Sequence, residues 1–245
     1  MRRFIVALQF LTIISFYKKL KVTEEDLGKS MLYFPLVGLF IGGCLVGSNE
    51  LFSFILPRKV VDGLLITVLV LLTGSLHLDA LADTVDGIAC GGDKTEKLRI
   101  MKDGKIGAMG AVGIFLVLML KYGALTSLPN ILKYQSLLLM PVLGRWSQVM
   151  VAYFSDYAGL ERGIGFPFTT YVSSFIFIST TIIAFLVAFC LLFFKGVLIV
   201  VLIGLFCFIY SRFFRRTLGG VTGDILGAVN EIAEITVLIM ILVKF

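Results

Sequence analysis

Between Tyr171 and Tyr210 the chain carries a single charged residue, Lys195. Apolar segments of this length belong in a bilayer, where every backbone N–H and C=O must be satisfied within the segment, and that selects helices. Comparable runs place candidate spans at about 31–56, 60–80, 107–128, 134–154, 171–194, 196–211 and 225–243. The breaks between them fall at Pro57, Pro129, Pro167, Lys195-Gly196 and the polar stretch RFFRRTLGGVTGD. Composition agrees: 58% of the 245 residues are hydrophobic and 16% charged, against about a quarter charged in soluble domains, and the mean hydropathy is +1.00. The expected fold is an all-α polytopic membrane helix bundle, one integral-membrane domain over 1–245 with about seven spans. The start, MRRFIVALQFLTIISFYKK, has the basic and apolar parts of a signal peptide but no small-residue cleavage site, and it ends in Lys18-Lys19. It reads as a retained helix lying in the membrane interface.

Several function classes drop out. The single histidine, His77, excludes a His-based zinc site, and Cys44, Cys90, Cys190 and Cys207 are scattered in or beside apolar runs without ligand spacing. A net charge of +6 has no aromatic-interleaved basic domain to go with it, so no nucleic-acid partner is expected. Basic loops facing anionic lipid account for the excess. Sorted by loop, fifteen of the 22 Lys and Arg residues fall on one side: those before residue 30, Lys94, Lys97, Arg99, Lys102, Lys105, Arg162, Arg212, Arg215 and Arg216. Arg58, Lys59, Lys133, Lys195 and Lys244 fall on the other, and Lys121 and Arg145 lie inside spans. The N-terminus is therefore expected in the cytoplasm. The same topology gathers the acidic motifs at that face, with Glu50 and Asp62 left near the far surface.

The stretch LHLDALADTVDG places Asp79, Asp83 and Asp86 at i, i+4 and i+7. On a helix continuing through residue 86 they share an arc of roughly 60°. Like charges so placed repel, unless they sit in solvent past the membrane edge or share a cation. A Mg²⁺ clamp fits the second case, because Mg²⁺ takes one or two carboxylates and draws further ligands from water and substrate phosphate. The expected metal ligands are Asp79, Asp83 and Asp86. Spacing alone does not choose among the membrane enzymes that handle diphosphates in this way.

A second acidic stripe, GDILGAVNEIAE, has Asp224 and Glu231 at i, i+7, with Asn230 on a similar side and Glu234 about 80° round. Asp224 is either a helix-dipole partner or a ligand, whereas Glu231 and Glu234 lie deep enough to need a cavity or a partner. Lys121 and Arg145 are available as ion-pair partners or phosphate clamps, and the guanidinium fork favours a phosphate role for Arg145. Between the stripes, IMKDGKIGAMG sets Lys102 and Lys105 about Asp103, with Gly104, Gly107 and Gly110 at three-residue steps. These are either ordinary loop charges or part of a phosphate nest at the next helix start, without the Walker pattern. His77 points about 160° from Asp79 on a regular helix and reads as a residue that supports the site from behind or a structural one.

Taken together, LHLDALADTVDG, EKLRIMKDGKIGAMGAVG and GGVTGDILGAVNEIAEI closely resemble the patterns of cobalamin synthase, the adenosylcobinamide-GDP ribazoletransferase family, and EEDLGKSMLYFPLVGLFIGG fits its N-terminal portion. The resemblance runs in order along the whole chain. One departure is Ala80, where the family typically has Gly after the first Asp. The resemblance implies a Mg²⁺-dependent enzyme of the inner membrane that joins adenosylcobinamide-GDP to α-ribazole or its 5′-phosphate and releases GMP. On that footing Asp79, Asp83 and Asp86 hold metal on the diphosphate, and one of them or Glu231 takes the proton of the attacking hydroxyl. Lys102, Lys105 and Arg145 bind phosphates beside Asp103, while Asp224 and Asn230 serve metal or ribose. A homo-oligomer is left open.

Two rivals stand beside this reading. One is another Mg²⁺-dependent membrane transferase of the prenyl or phosphoalcohol type. The phosphoalcohol signature is missing after Asp79 and Asp86, and the second stripe contains Glu at a spacing unlike a prenyltransferase motif. The other is an ion transporter, whose carboxylates would be spread across the bilayer rather than gathered at one face.

Overall fold

Helix boundaries in the computed structural model, which describes residues 2–15 and 21–243, follow local chemistry. The chain order is α1 (Arg2–Leu11), α2 (Glu24–Lys29), a 3₁₀ turn (Ser30–Tyr33), α3 (Phe34–Ser53), α4 (Arg58–Leu72), α5 (Leu76–Ala89), α6 (Lys94–Lys102), α7 (Ala108–Ser127), α8 (Asn130–Tyr153), α9 (Phe166–Tyr171), α10 (Ser174–Leu218) and α11 (Gly223–Leu242). Thr23, Asp93, Ser173 and Thr222 cap α2, α6, α10 and α11, each side-chain oxygen accepting a first-turn backbone N–H. Among the described residues there is no strand, only an isolated bridge from Tyr157 to Val221. Lys18, Lys19 and Lys244, which entered the charge count, lie outside the described residues.

The expected spans are redrawn in three places. Four helices are long and apolar enough to cross a membrane (one of them α2 through α3), or five if α4 and α5 make one broken span; α10, counted once among them, is two helical arms joined at Phe193, and the buried α8 is not among them. First, the span expected at 60–80 does not run on into the aspartates. Gly74 and Ser75 both take left-handed backbone, at φ 60° and 59°, and α5 leaves at 87° to α4. The three aspartates keep their spacing, but on a separate helix. Second, the spans expected at 171–194 and 196–211 are the two arms of α10, which folds back at Phe193 (φ 50°, ψ −135°), two residues before the expected Lys195-Gly196 break. The ring of Phe154 lies 5.4 Å from that of Phe177 and 5.9 Å from that of Phe208, residues about 46 Å apart on a straight helix. Third, 134–154 falls on α8, which has the length of a span but is buried along most of it and carries Lys133, Arg145 and Gln148.

That burial makes α8 the axis of the molecule: α3, α10 and α11 all pack on it, and α5 packs on α11 and α7. The inner face of α1 (Val6, Ala7, Leu8, Leu11) is buried in the same core. Phe115 and Met119 of α7, and Ile178, Ile182, Leu186, Leu205 and Ile209 of α10, are exposed on the outside, the surface a lipid-embedded bundle presents.

The α3–α8 contact depends on small residues. Pro141 lacks the N–H that would bond the Leu137 carbonyl. A Cβ on Gly42 would stand 2.8 Å from that carbonyl oxygen, and one on Gly38 would collide with the Pro141 carbonyl. Gly38 and Gly42 are four apart, the small-xxx-small arrangement that lets membrane helices touch at backbone distance. Gly43, beside them, faces open space. Gly38→Val should therefore destabilise the protein by about 1–3 kcal/mol, read as a lower melting temperature in detergent, while Gly43→Val leaves it unchanged. Equal effects would contradict this packing.

Candidate active site

One end of the bundle holds two adjoining clefts. The first, about 170 Å³, is lined by Phe10, Met31, Phe34, Leu76, His77, Asp79, Ala80, Gln148, Ile164, Phe168, Asp224, Leu226 and Gly227, among others. The second, about 350 Å³, is lined by Leu98, Met101 and Lys102 of α6, the loop from Tyr157 to Gly165, and Thr222 to Asp224. Ile164, Gly223 and Asp224 belong to both, so the clefts meet at the start of α11. The Tyr157–Val221 bridge fixes that junction: Ala158 N–H donates to the Val221 carbonyl at 3.0 Å, and Val221 N–H to that of Asp156 at 2.8 Å.

The aspartate stripe divides into two kinds. Asp79 is exposed in the first cleft. Asp83 is half-buried one turn further on, with Asp79, Asp224 and Asp86 as its like-charged neighbours. Neither the Asp79 nor the Asp83 carboxylate has a hydrogen bond or ion pair with the described residues. Asp86 instead accepts from the backbone N–H groups of Gly107 (2.7 Å) and Gly110 (2.8 Å), fastening α5 to the N-terminus of α7, where the helix dipole favours a carboxylate. The glycine nest expected to cradle substrate phosphate is thus filled by the chain's own Asp86. A Cβ on Gly107 or Gly110 would strike that carboxylate, which explains the glycines.

Deeper in, a second set of expected site residues is committed to structure. Lys121 of α7 donates to Glu231 (2.7 Å) and Glu234 (2.5 Å) of α11. Arg145 of α8 pairs with Glu234, and Asn230 donates to the same carboxylate at 3.2 Å. The side chains of Arg145 and Glu234 are 0% exposed, those of Lys121 and Glu231 3% and 6%. Arg145 therefore does not serve as the expected phosphate clamp, because its guanidinium is sealed within the bundle against a carboxylate. Glu231 is likewise displaced as a proton acceptor, being held against the Lys121 ammonium, and Asn230 is fully buried rather than open to ribose. Two cations and two carboxylates balance, which is what makes such burial tolerable.

The loop residues separate too. Lys102 lines the second cleft and pairs with Glu161 at 2.5 Å, and its ammonium holds the exposed Glu161 carboxyl below the usual carboxylate range. Arg162, 4.8 Å over the Phe166 ring, lines the same cleft. Asp103 and Lys105 pair loosely with each other at 3.8 Å and line neither cleft; Lys105 is 84% exposed.

Three placements were not legible from spacing. His77, expected to point away from Asp79, lines the same cleft, and neither ring nitrogen has a partner. Gln148 lines it as well, with its Oε1 unpartnered; an amide three residues beyond Arg145 on a buried helix was the available signal. The aromatic wall of Phe10, Phe34 and Phe168 comes from three distant segments, with centroids 5.0 to 6.3 Å apart. Ala80, the departure from the family pattern, is accommodated by a glycine opposite it. Its methyl faces Gly227 on α11, where a second Cβ would not fit beside it.

Among the described residues no three His, Cys, Asp or Glu side chains form a ready-made metal cage. An uncompensated carboxylate cluster of this kind suits a cation that takes one or two carboxylates and completes its shell from phosphate oxygens and water, as Mg²⁺ does.

Removing one partner from the buried cluster should be costly in a way that removing a surface charge is not. Lys121→Met is expected to destabilise the protein by about 3–5 kcal/mol, seen as a large drop in melting temperature, with Lys105→Met unchanged. Equal stability of the two variants would contradict the cluster's structural role.

The family model described as cobalamin-5-phosphate synthase matches residues 3–242. The adenosylcobinamide-GDP ribazoletransferase of Geotalea daltonii is 41% identical over 235 residues, covering 96% of this chain and 94% of the relative. The protein of the same name from Clostridium novyi is 37% identical, covering 99% and 97%. That from Acetivibrio thermocellus is 36% identical, covering 98% and 97%. No solved structure matches. With the acidic stripes, the Asp86-filled glycine turn and the junction at Asp224 all inside a match that runs nearly end to end, the chain belongs to the cobalamin-5-phosphate synthase family.

Proposed function

We propose that the chain is an adenosylcobinamide-GDP ribazoletransferase, joining the cobinamide-phosphate group to α-ribazole or its 5′-phosphate with GMP as the leaving group. The observation that carries this reading is the near full-length match to relatives of that name. The paired clefts support it, since a two-substrate transfer needs two sites that share a boundary.

In the reaction a ribose hydroxyl of α-ribazole attacks the phosphorus next to the cobinamide arm. The bond from that phosphorus to the bridging oxygen breaks, and GMP departs with the oxygen. Asp224 lies where the two clefts meet and Asp79 lines the first of them; in this reading one of the two takes the hydroxyl proton. Lys102 and Arg162 in the second cleft are placed to hold the guanosine phosphates and steady the charge on the departing GMP. Mg²⁺ held by Asp79 and Asp83, with Asp224 and Asp86 beside them, would neutralise the diphosphate oxygens. The buried charge cluster does no chemistry in this scheme: it keeps α7, α8 and α11 in register under the site. The apolar outer belt and the bias of basic residues support a multi-pass protein of the cytoplasmic membrane with its site on the cytoplasmic side.

Asp83→Asn keeps the side chain's shape and removes its charge. It should lower GMP release on the order of 10²-fold or more with an unchanged melting temperature, and chelation of Mg²⁺ should abolish wild-type turnover reversibly. Wild-type rates in the folded variant would remove Asp83 from the site.

A further inference from the structure

The first cleft has two unlike halves. Phe10, Phe34 and Phe168 form a continuous aromatic wall, with Met31 and Leu226 also lining the cleft. Among the described residues, the neutral polar side chains that line the same cleft are His77 and Gln148, 2% and 4% exposed. Neither His77 ring nitrogen nor the Gln148 Oε1 has a hydrogen-bond partner among the described residues. Buried polar atoms are seldom left so, and here they line a cavity, so a ligand is their natural partner. Asp79 and Asp224 complete the lining on the way to the second cleft.

Resting on the reading of the chain as a ribazoletransferase, we propose that this cleft receives the benzimidazole base of α-ribazole against Phe10, Phe34 and Phe168, with His77 and Gln148 as its polar contacts. The ribose is then left at the Asp79–Asp224 junction. The choice between the two substrates' bases follows from polarity. Guanine carries donors and acceptors around most of its edge and would bury several of them unpaired against phenylalanine. Dimethylbenzimidazole has an apolar, methyl-bearing edge and few polar atoms, and a planar aromatic ring gains from stacking or edge contact with phenylalanine. The second cleft, lined by Lys102, Arg162, Tyr157 and Thr222, has the polar character that guanosine and its phosphates need. In this arrangement donor and acceptor approach the shared residues Ile164, Gly223 and Asp224 from opposite sides.

Steady-state kinetics and equilibrium binding on the purified full-length chain test the proposal. Phe10, half-buried on α1, is replaced in Phe10→Ala, and Gln148→Leu serves as a second variant if the first does not fold. Each should raise KM for α-ribazole tenfold or more, leave KM for adenosylcobinamide-GDP within twofold, and weaken α-ribazole binding, followed by its own benzimidazole fluorescence, by a similar factor. Unchanged α-ribazole KM and binding in folded variants would overturn the assignment. So would a rise confined to the KM for adenosylcobinamide-GDP, which would give the cleft to guanosine. If the wild type binds α-ribazole in a Phe10-dependent way yet releases no GMP, the functional reading fails while the cleft assignment stands.

Discussion

Four buried charges hold this bundle in the shape its site requires. Lys121, Arg145, Glu231 and Glu234 come from α7, α8 and α11, and their ion pairs fix the rotation and depth of those helices relative to one another. Burying ions is expensive, and a hydrophobic set of equal volume would often be no less stable. What the ionic set adds is register, because each pair forms only when its helices sit at one height. The start of α11 inherits that placement. Asp224 thereby stands at the junction of two clefts and Gly227 stands opposite Ala80.

From this anchor the rest of the site follows by short steps. The left-handed pair Gly74-Ser75 swings α5 away from α4, and Asp86 fastens α5 to the start of α7. Together they leave Asp79 and Asp83 without partners at the same end as Asp224. Carboxylates concentrated without compensating cations are poor for stability and good for binding a metal–phosphate complex. The basic residues Lys102 and Arg162 line the second cleft, beyond the junction.

Much of this was readable from the residues, and the parts that were not fail for identifiable reasons. Apolar length located α3, α7 and α11 closely, because lipid exposure imposes composition directly. It misjudged α8, whose polar residues face other helices rather than lipid. It also ran one span through residues 73–75, where the turn depends on two left-handed residues rather than on a proline. Spacing grouped Asp79, Asp83 and Asp86 correctly onto one helix but not by role, since Asp86 is taken up by Gly107 and Gly110, 21 and 24 residues further along the chain. Arg145 illustrates the same limit: a cation inside a span reads equally as a phosphate clamp or an ion-pair partner until the packing is known. Spacing said little of His77 and Gln148, because their meaning lies in bonds they do not make with the described residues.

The most direct test of the account is reconstitution of wild-type protein with adenosylcobinamide-GDP and α-ribazole together, and with each omitted in turn. The account predicts GMP and the joined cobamide in equal amounts, with neither formed when one substrate is missing. GMP released at the full rate without α-ribazole, or no GMP from folded protein given both substrates and Mg²⁺, would contradict it.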